Sequence, residues 1–273
     1  MKKILLATDF SDSCHNALKY ALALIKKTDL KFDLVHVFDI SVVVASNIPT
    51  RAFSDMLDSR TRAVEAHLEE IHLKIPTRHR GSTKAIYGPY TANEIAEYAK
   101  SKSYDLIIMA LRQKYSLMDR IIGTVTSQTV HLSKIPILAI PNGSKFKGLN
   151  KILFPTAIQN FKQLTKTEEK AINWLSTFSK TFAVSKIHMV HIDPSSSTDV
   201  PDITHKQRPF SHIDFTVSAA VSVEEGIMKF SKKERADLLA FYKPHRYFWE
   251  QLYRSSLTRK MLFKSRTPLL LFS

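Results

Sequence analysis

Cysteine is nearly absent from this chain of 273 residues: Cys14 stands alone, so no disulfide can close within it. That excludes the small disulfide-stapled class and fits a reducing compartment, the cytoplasm, with Cys14 read as a small hydrophobe on a helix. Glycine is scarce too, six in all, and there is no low-complexity tract, which argues against a disordered chain. Long apolar runs are missing as well. None reaches the roughly 18–20 residues that would span a bilayer, so no membrane partner is expected. The opening Met1-Lys2-Lys3-Ile4-Leu5-Leu6 has the lysines of a signal peptide, but its apolar run stops at Thr8-Asp9. An h-region needs about 7–15 apolar residues, so the segment reads as a first strand.

What the chain has in excess is positive charge, a formal +15. Residues 1–145 carry 20 basic and 14 acidic side chains, and residues 146–273 carry 20 and 11, so the excess is spread over both halves. The densest run, Lys229, Lys232, Lys233 and Arg235, is interrupted by Glu234. A solvated basic surface that attracts anions is preferred to a nucleic-acid module.

Apolar runs alternate with helical patterns, the signature of βαβ units and a parallel sheet. Strands are predicted at residues 4–7, 32–38, 84–87, 106–110 and 137–140. Between them lie helices after Ser11 and Asp12, at 57–73, after Thr91 and at 124–132. Thr91-Ala92-Asn93-Glu94 has the spacing of a capping box, with Thr91 as N-cap.

The pattern then restarts. Lys151-Ile152-Leu153-Phe154-Pro155-Thr156 echoes Lys3-Ile4-Leu5-Leu6-Ala7-Thr8, 148 positions earlier, and Met189-Val190-His191 echoes Leu34-Val35-His36. From Asp237 the match is gapless at an offset of 132, carrying Pro268-Leu269-Leu270 onto Pro136-Ile137-Leu138. Ser222-Val223-Glu224-Glu225 supplies a second capping box. Two domains are therefore predicted, 1–145 and 146–273, with a polar boundary at 142–147. The second lacks a counterpart of the 57–73 helix, and residues 193–209, rich in Ser, Pro and Asp, read as a loop in its place.

The combination of Ile4-Leu5-Leu6-Ala7-Thr8-Asp9-Phe10-Ser11, Val35-His36-Val37, Asp105-Leu106-Ile107-Ile108-Met109 and Pro136-Ile137-Leu138-Ala139-Ile140 resembles the universal stress protein family. It covers residues 1–141, and more weakly the ends of 149–273. The resemblance implies an α/β fold of the adenine-nucleotide alpha hydrolase-like kind: two domains, each a five-stranded parallel sheet flanked by helices. Many members bind ATP. The family pattern implies an aspartate after the first strand and a valine after the second, both near adenine. It also implies glycines spaced G-x-x-G-(nine residues)-G-[ST] around ribose and phosphates. Glycines admit the backbone to a phosphate, and the last Gly-Ser/Thr opens a helix whose free N–H groups favour anions.

On this chain the resemblance places the site at Asp9, Val37, Met109, Ala110, Arg112, Gln113, Gly123, Thr124 and Val125. Only Gly123-Thr124 keeps the glycine pattern, because Ala110 and Gln113 stand at the other two glycine positions. Arg112 and Lys114 offer compensating charge or plain solvated loop charge. In the second half Ala157 replaces the aspartate, Tyr242 and His245 replace Ala110 and Gln113, and Ser255-Ser256 replaces Gly123-Thr124. Tyr242, His245, Tyr247, Phe248 and Trp249 form an aromatic cluster with Lys243 and Arg246, read as packing over a sheet end or as a stacking surface.

His188 and His191 lie three apart on a predicted strand and face opposite ways, which makes no metal pair. No nucleophile elbow or Walker loop occurs. The expectation is a non-enzymatic stress or regulatory protein acting through protein contacts. Its eroded first-domain site would take ATP or AMP weakly. An adenine-nucleotide sensor is the alternative, and charge-driven nucleic-acid binding the third. The family habit of pairing last strands implies an intramolecular pseudo-dimer of the two domains; a homodimer and an unidentified protein partner stay open.

Overall fold

The computed structural model describes residues 1–40, 49–111, 124–156, 166–194, 207–210, 213–242 and 265–272. In the first half β1 (Lys3–Ala7), α1 (Asp12–Ile25), β2 (Lys31–Phe38), α2 (Thr50–Leu73), β3 (Arg80–Tyr87), α3 (Thr91–Ser101), β4 (Leu106–Leu111), α4 (Thr124–Leu132) and β5 (Ile137–Pro141) follow one another. The second half holds β6 (Lys151–Pro155), α5 (Lys166–Thr181), β7 (Lys186–Asp193), β8 (Gln207–Phe210), β9 (Ile213–Ala219), α6 (Val223–Lys233), β10 (Leu238–Tyr242) and β11 (Leu269–Phe272).

The eleven strands of the described residues join one sheet in the order β3-β2-β1-β4-β5-β11-β10-β6-β7-β9-β8. Pairing is parallel except at β5·β11 and β8·β9. β4 is apolar along its whole length and buried at every position, as a parallel strand covered on both faces must be. One face carries α1, α2 and α5, where Ala17, Leu18, Ala21, Leu24 and Ile25 of α1 form a buried stripe at helical spacing. The other face carries α3, α4 and α6 through Ile95, Val130, Ile227 and Phe230.

The repeat extends to individual hydrogen bonds. Asp105 accepts from the backbone N–H groups of Lys2 and Lys3, and Asp237 accepts from those of Asn150 and Lys151. Ser133 brackets Ile135 with two bonds before β5, and Ser265 brackets Thr267 before β11. The β5·β11 register places Leu270 opposite Leu138, with Leu269 opposite Ala139 and Leu271 opposite Ile137. Residues 138 and 270 are repeat equivalents, so a local twofold axis passes between them.

The structure corrects four expectations. Thr91 is not the N-cap of α3: Tyr90 is, without a side-chain bond, and its carbonyl accepts from the N–H groups of Asn93 and Glu94. The helix starts one residue early because this carbonyl already closes the first turn. α2 begins at Thr50 rather than at 57, an exposed first turn with little apolar period to read. β3 begins at Arg80 rather than at 84, because edge pairing with β2 extends beyond the apolar part. Within 193–209, Gln207–Phe210 is an antiparallel edge strand, a position where Pro209 is tolerated. No helix stands among the described residues between β7 and β9.

Candidate functional site

In the first half β1 lies between β2 and β4, and the connections leave it in opposite directions on its two sides. This is the switch point where open α/β sheets form a crevice beyond their carboxyl ends. The turn after β1 fills one wall. Thr8 is buried, its N–H donates to the Val35 carbonyl, and its hydroxyl accepts from the Phe10 N–H. Phe10 takes a left-handed conformation with φ of 64°, costly for a bulky residue and held here by its surroundings. Its ring lies 4.3 Å from that of His36 and 5.2 Å from that of His67.

Asp9 sits exposed at the apex of this turn. Its Oδ1 accepts from the Ser11 N–H at 3.0 Å and from the Cys14 thiol at 3.1 Å. Ser11 in turn caps α1 by accepting from the Cys14 N–H. His36 Nδ1 donates to the Thr8 carbonyl at 2.7 Å, which fixes the turn from the β2 side. Burial holds the His36 imidazole below its ordinary range, against the opposing pull of the Thr8 bond and Asp9. It is therefore neutral at pH 7.

Of the sequence-predicted site residues, the structure brings Val37, Met109 and Val125 together. Val37 and Met109 are buried in one apolar cluster with Ala7, and Val125 packs against it. Val37 lies within β2, not beyond it. Ala110 faces the opposite side of the sheet, in the cluster with Leu6 and Phe38. It has ordinary strand backbone, so its Cβ meets no left-handed requirement. Thr124 opens α4. Arg112, Gln113 and Gly123 lie outside the described residues. Sequence reasoning missed Thr126, whose buried hydroxyl donates to the Ala110 carbonyl at 2.9 Å and ties α4 to the end of β4. It also missed the clamp made by Phe10 and His36. The only sequence signal for either was adjacency to a motif residue.

The corresponding place in the second half is built differently. The Thr156 N–H donates to the Val190 carbonyl, and His191 Nδ1 donates to the Thr156 carbonyl at 3.2 Å, as in the first half. Where Ala110 and Ile140 stand in the first half, Tyr242 and Phe272 stand here, 5.4 Å apart. Trp174 stacks on Phe272 at 4.8 Å, and Phe154 lies 6.0 Å from the same ring. Burial raises the Tyr242 phenol, which keeps its proton. Ala157, His245, Ser255, Ser256 and the rest of the aromatic and basic cluster lie outside the described residues.

His188 and His191 do face opposite ways. His188 is buried and bonds Thr216 at 2.9 Å, while His191 turns to Thr156. Among the described residues no group of three or more His, Cys, Asp or Glu is placed to hold a metal ion. No described helix is long and apolar enough to cross a membrane.

Comparison with known proteins agrees with this architecture. Among curated proteins the chain is similar to the universal stress protein MJ0531 of Methanocaldococcus jannaschii, 29% identical over 152 residues, 53% of this chain and 84% of that one. It is also similar to the universal stress protein YxiE of Bacillus subtilis, 25% identical over 144 residues, 50% of this chain and 97% of that one. Each relative thus matches about half of the chain. Among solved structures, a universal stress protein from Archaeoglobus fulgidus shares the fold, with a TM-score of 0.71 over 99% of this chain and 96% of that one at 15% identity. The model of the Universal stress protein family matches residues 1–141, more than half the length, and the chain accordingly belongs to the universal stress protein family.

Proposed function

We propose that this protein is a two-domain stress or regulatory protein, divided at 1–145 and 146–273, that works through contacts rather than turnover. Its first domain keeps a weak adenine-nucleotide site for ATP or AMP. The supporting observation is the inequality of the two crevices. Asp9 stands exposed at the switch point of the first half, whereas in the second half Tyr242 and Phe272 put rings at the carboxyl ends of β10 and β11, where the first half has Ala110 and Ile140. Adenine would meet Asp9 and the apolar wall of Val37, Met109 and Val125. The phosphates would face Gly123, Thr124 and the start of α4, with Arg112 beside them.

Binding is weak because Gln113 occupies a position where the family pattern has backbone alone. Losing two or three charge-assisted hydrogen bonds, each worth about 1.5–3 kcal/mol, weakens affinity by two or more orders of magnitude. Hydrolysis would require a positioned base and a held metal ion. The described polar groups beside Asp9 are instead engaged in holding the turn: Ser11 caps α1, the Cys14 thiol bonds Asp9, and His36 bonds Thr8.

Calorimetric titration of the full chain with ATP and Mg²⁺ tests the reading. The expected result is at most one equivalent bound, with a dissociation constant well above about 1 μM, and no nucleotide hydrolysed above background. Gln113→Gly should tighten binding measurably. Binding at or below about 1 μM with no gain from Gln113→Gly would overturn this reading in favour of a nucleotide sensor.

A further inference from the structure

A cavity of about 380 Å³ opens where the segment joining the two halves crosses the sheet, beneath β10 and β11. Its lining includes Tyr20 from α1, Lys145 and Lys147 from the joining segment, Asp237 at the start of β10, and Arg266 and Thr267 before β11. Both halves therefore contribute, and the cavity lies at the amino ends of the strands, away from the Asp9 crevice. Gly143 and Gly148 bound the joining segment with φ of 76° and 115°, turns that only glycine takes without strain. The segment is pinned on both sides. Phe146 sets its ring edge-on to Tyr20 at 5.2 Å, and the Ser144 hydroxyl donates to the Arg266 carbonyl at 3.0 Å.

Tyr20 is the telling residue. It is only 4% exposed, yet its hydroxyl has no hydrogen-bond partner among the described residues. The hydroxyl is not sealed from solvent, and Tyr20 lines the cavity. A buried phenol normally finds a partner. Burial, and next the charge of Asp237, raise its pKa, so it stands as a donor at any physiological pH. Three exposed cationic side chains, Lys145, Lys147 and Arg266, line the same cavity. The one carboxylate among the described lining residues, Asp237, already accepts two backbone N–H groups through Oδ2. Among the described residues the lining is thus net positive, with the Tyr20 phenol as a neutral donor.

We propose that this interdomain cavity is a binding site for a small phosphorylated compound. Lys145, Lys147 and Arg266 would take the phosphoryl oxygens, the Tyr20 hydroxyl would donate to one of them, and Asp237 would accept from a hydroxyl of the ligand. The volume is in the range of small-molecule sites. A ligand here bridges α1, the joining segment and the second half, and so fastens the two halves together.

The test is calorimetric titration of the full chain with two probes, inorganic pyrophosphate and ribose 5-phosphate, at about 0.1 M salt. One equivalent of at least one probe should bind, with a dissociation constant below about 1 mM. The tighter of the two distinguishes an oligophosphate from a sugar phosphate that uses Asp237. Tyr20→Phe removes one oxygen and keeps the packing against Phe146; it should weaken binding by roughly tenfold. Lys145→Ala with Lys147→Ala should weaken it at least as much, and so should Arg266→Ala, an exposed position that spares the fold. Removing two cations elsewhere, Lys84→Ala with Lys166→Ala, should change affinity by no more than about twofold. The proposal is overturned if neither probe binds saturably, if Tyr20→Phe binds like the native chain, or if the distant pair costs as much as Lys145 and Lys147.

Discussion

His36 and His191 occupy repeat-equivalent positions and donate to repeat-equivalent carbonyls, those of Thr8 and Thr156. The imidazole here works as a backbone clamp on the turn after each half's first strand. His188 is held by other means: Nε2 bonds Thr216, and Nδ1 lies 3.4 Å from Glu234 without a hydrogen-bond geometry. Burial, ahead of the opposing charges of Glu234 and Asp214, puts His188 below its ordinary 6.5, as burial does for His36. Lys151 also faces His188, and Arg60 and His67 face His36, all pushing the same way as burial. The unfolded chain therefore takes up these two protons more readily than the folded one. Their contribution is complete above pH 6.5 and is lost as the pH falls through the lower folded values. Glu234 adds to the acid side. Burial alone would raise its carboxyl, but the Lys151 bond at 2.7 Å and His188 outweigh burial and lower it. The midpoint of thermal unfolding should be flat above about pH 7 and decline toward pH 5. His188→Gln should flatten the decline, and an unchanged slope would show that His188 does not titrate on folding. The Cys14 thiol, pushed up to about 11 by burial and then by Asp9, should resist iodoacetamide at pH 7.5 in the folded chain and react once denatured, which mass spectrometry reads directly.

At the scale of elements, the two capping boxes in the sequence have different fates. Ser222 accepts from the Glu225 N–H at 3.2 Å and caps α6, whereas Thr91 lies one residue inside α3. Ser222→Ala should therefore cost about 1 kcal/mol in chemical denaturation, while Thr91→Ala should cost less than about half of that. Equal losses would mean that Thr91 caps in solution. The contrast shows what the sequence can carry. Strands buried on both faces, such as β4 and β5, are legible because their residues are apolar without interruption. The 132-residue offset was legible because Asp237 and Pro268 repeat Asp105 and Pro136. Edge elements were not: β8 contains Gln207, Arg208 and Pro209, and is a strand only because β9 offers an open edge. The site divides the same way. Asp9, Val37, Met109 and Val125 follow from position along a motif. The clamp of Phe10 on His36 and the bond from Thr126 to Ala110 arise from chain crossings that no local pattern records.

The whole molecule is organised about β5 and β11. Among the described residues these are the only strands through which the two halves join the common sheet, and they meet antiparallel with Leu138 against Leu270. Both side chains are at most 1% exposed. Each half without the other would present an apolar edge, the kind of surface that templates pairing with another chain. Because 138 and 270 are equivalent in the repeat, the seam copies the geometry of a homodimer, with residue 138 of one copy facing residue 138 of the other. Residues 1–145 expressed alone should therefore self-associate through β5. Sedimentation velocity is expected to show a dimer at micromolar concentration, where the full chain has this edge covered by its own β11. Ala139→Pro in the fragment removes a backbone donor and should shift it toward monomer. Leu138→Lys should do so more strongly, by setting two like charges face to face across the axis. A fragment that stays monomeric and folded would show that the β5 edge needs no partner, and that the β5·β11 pairing follows from tethering alone. A dimer indifferent to both substitutions would place self-association elsewhere on the surface and remove the twofold argument.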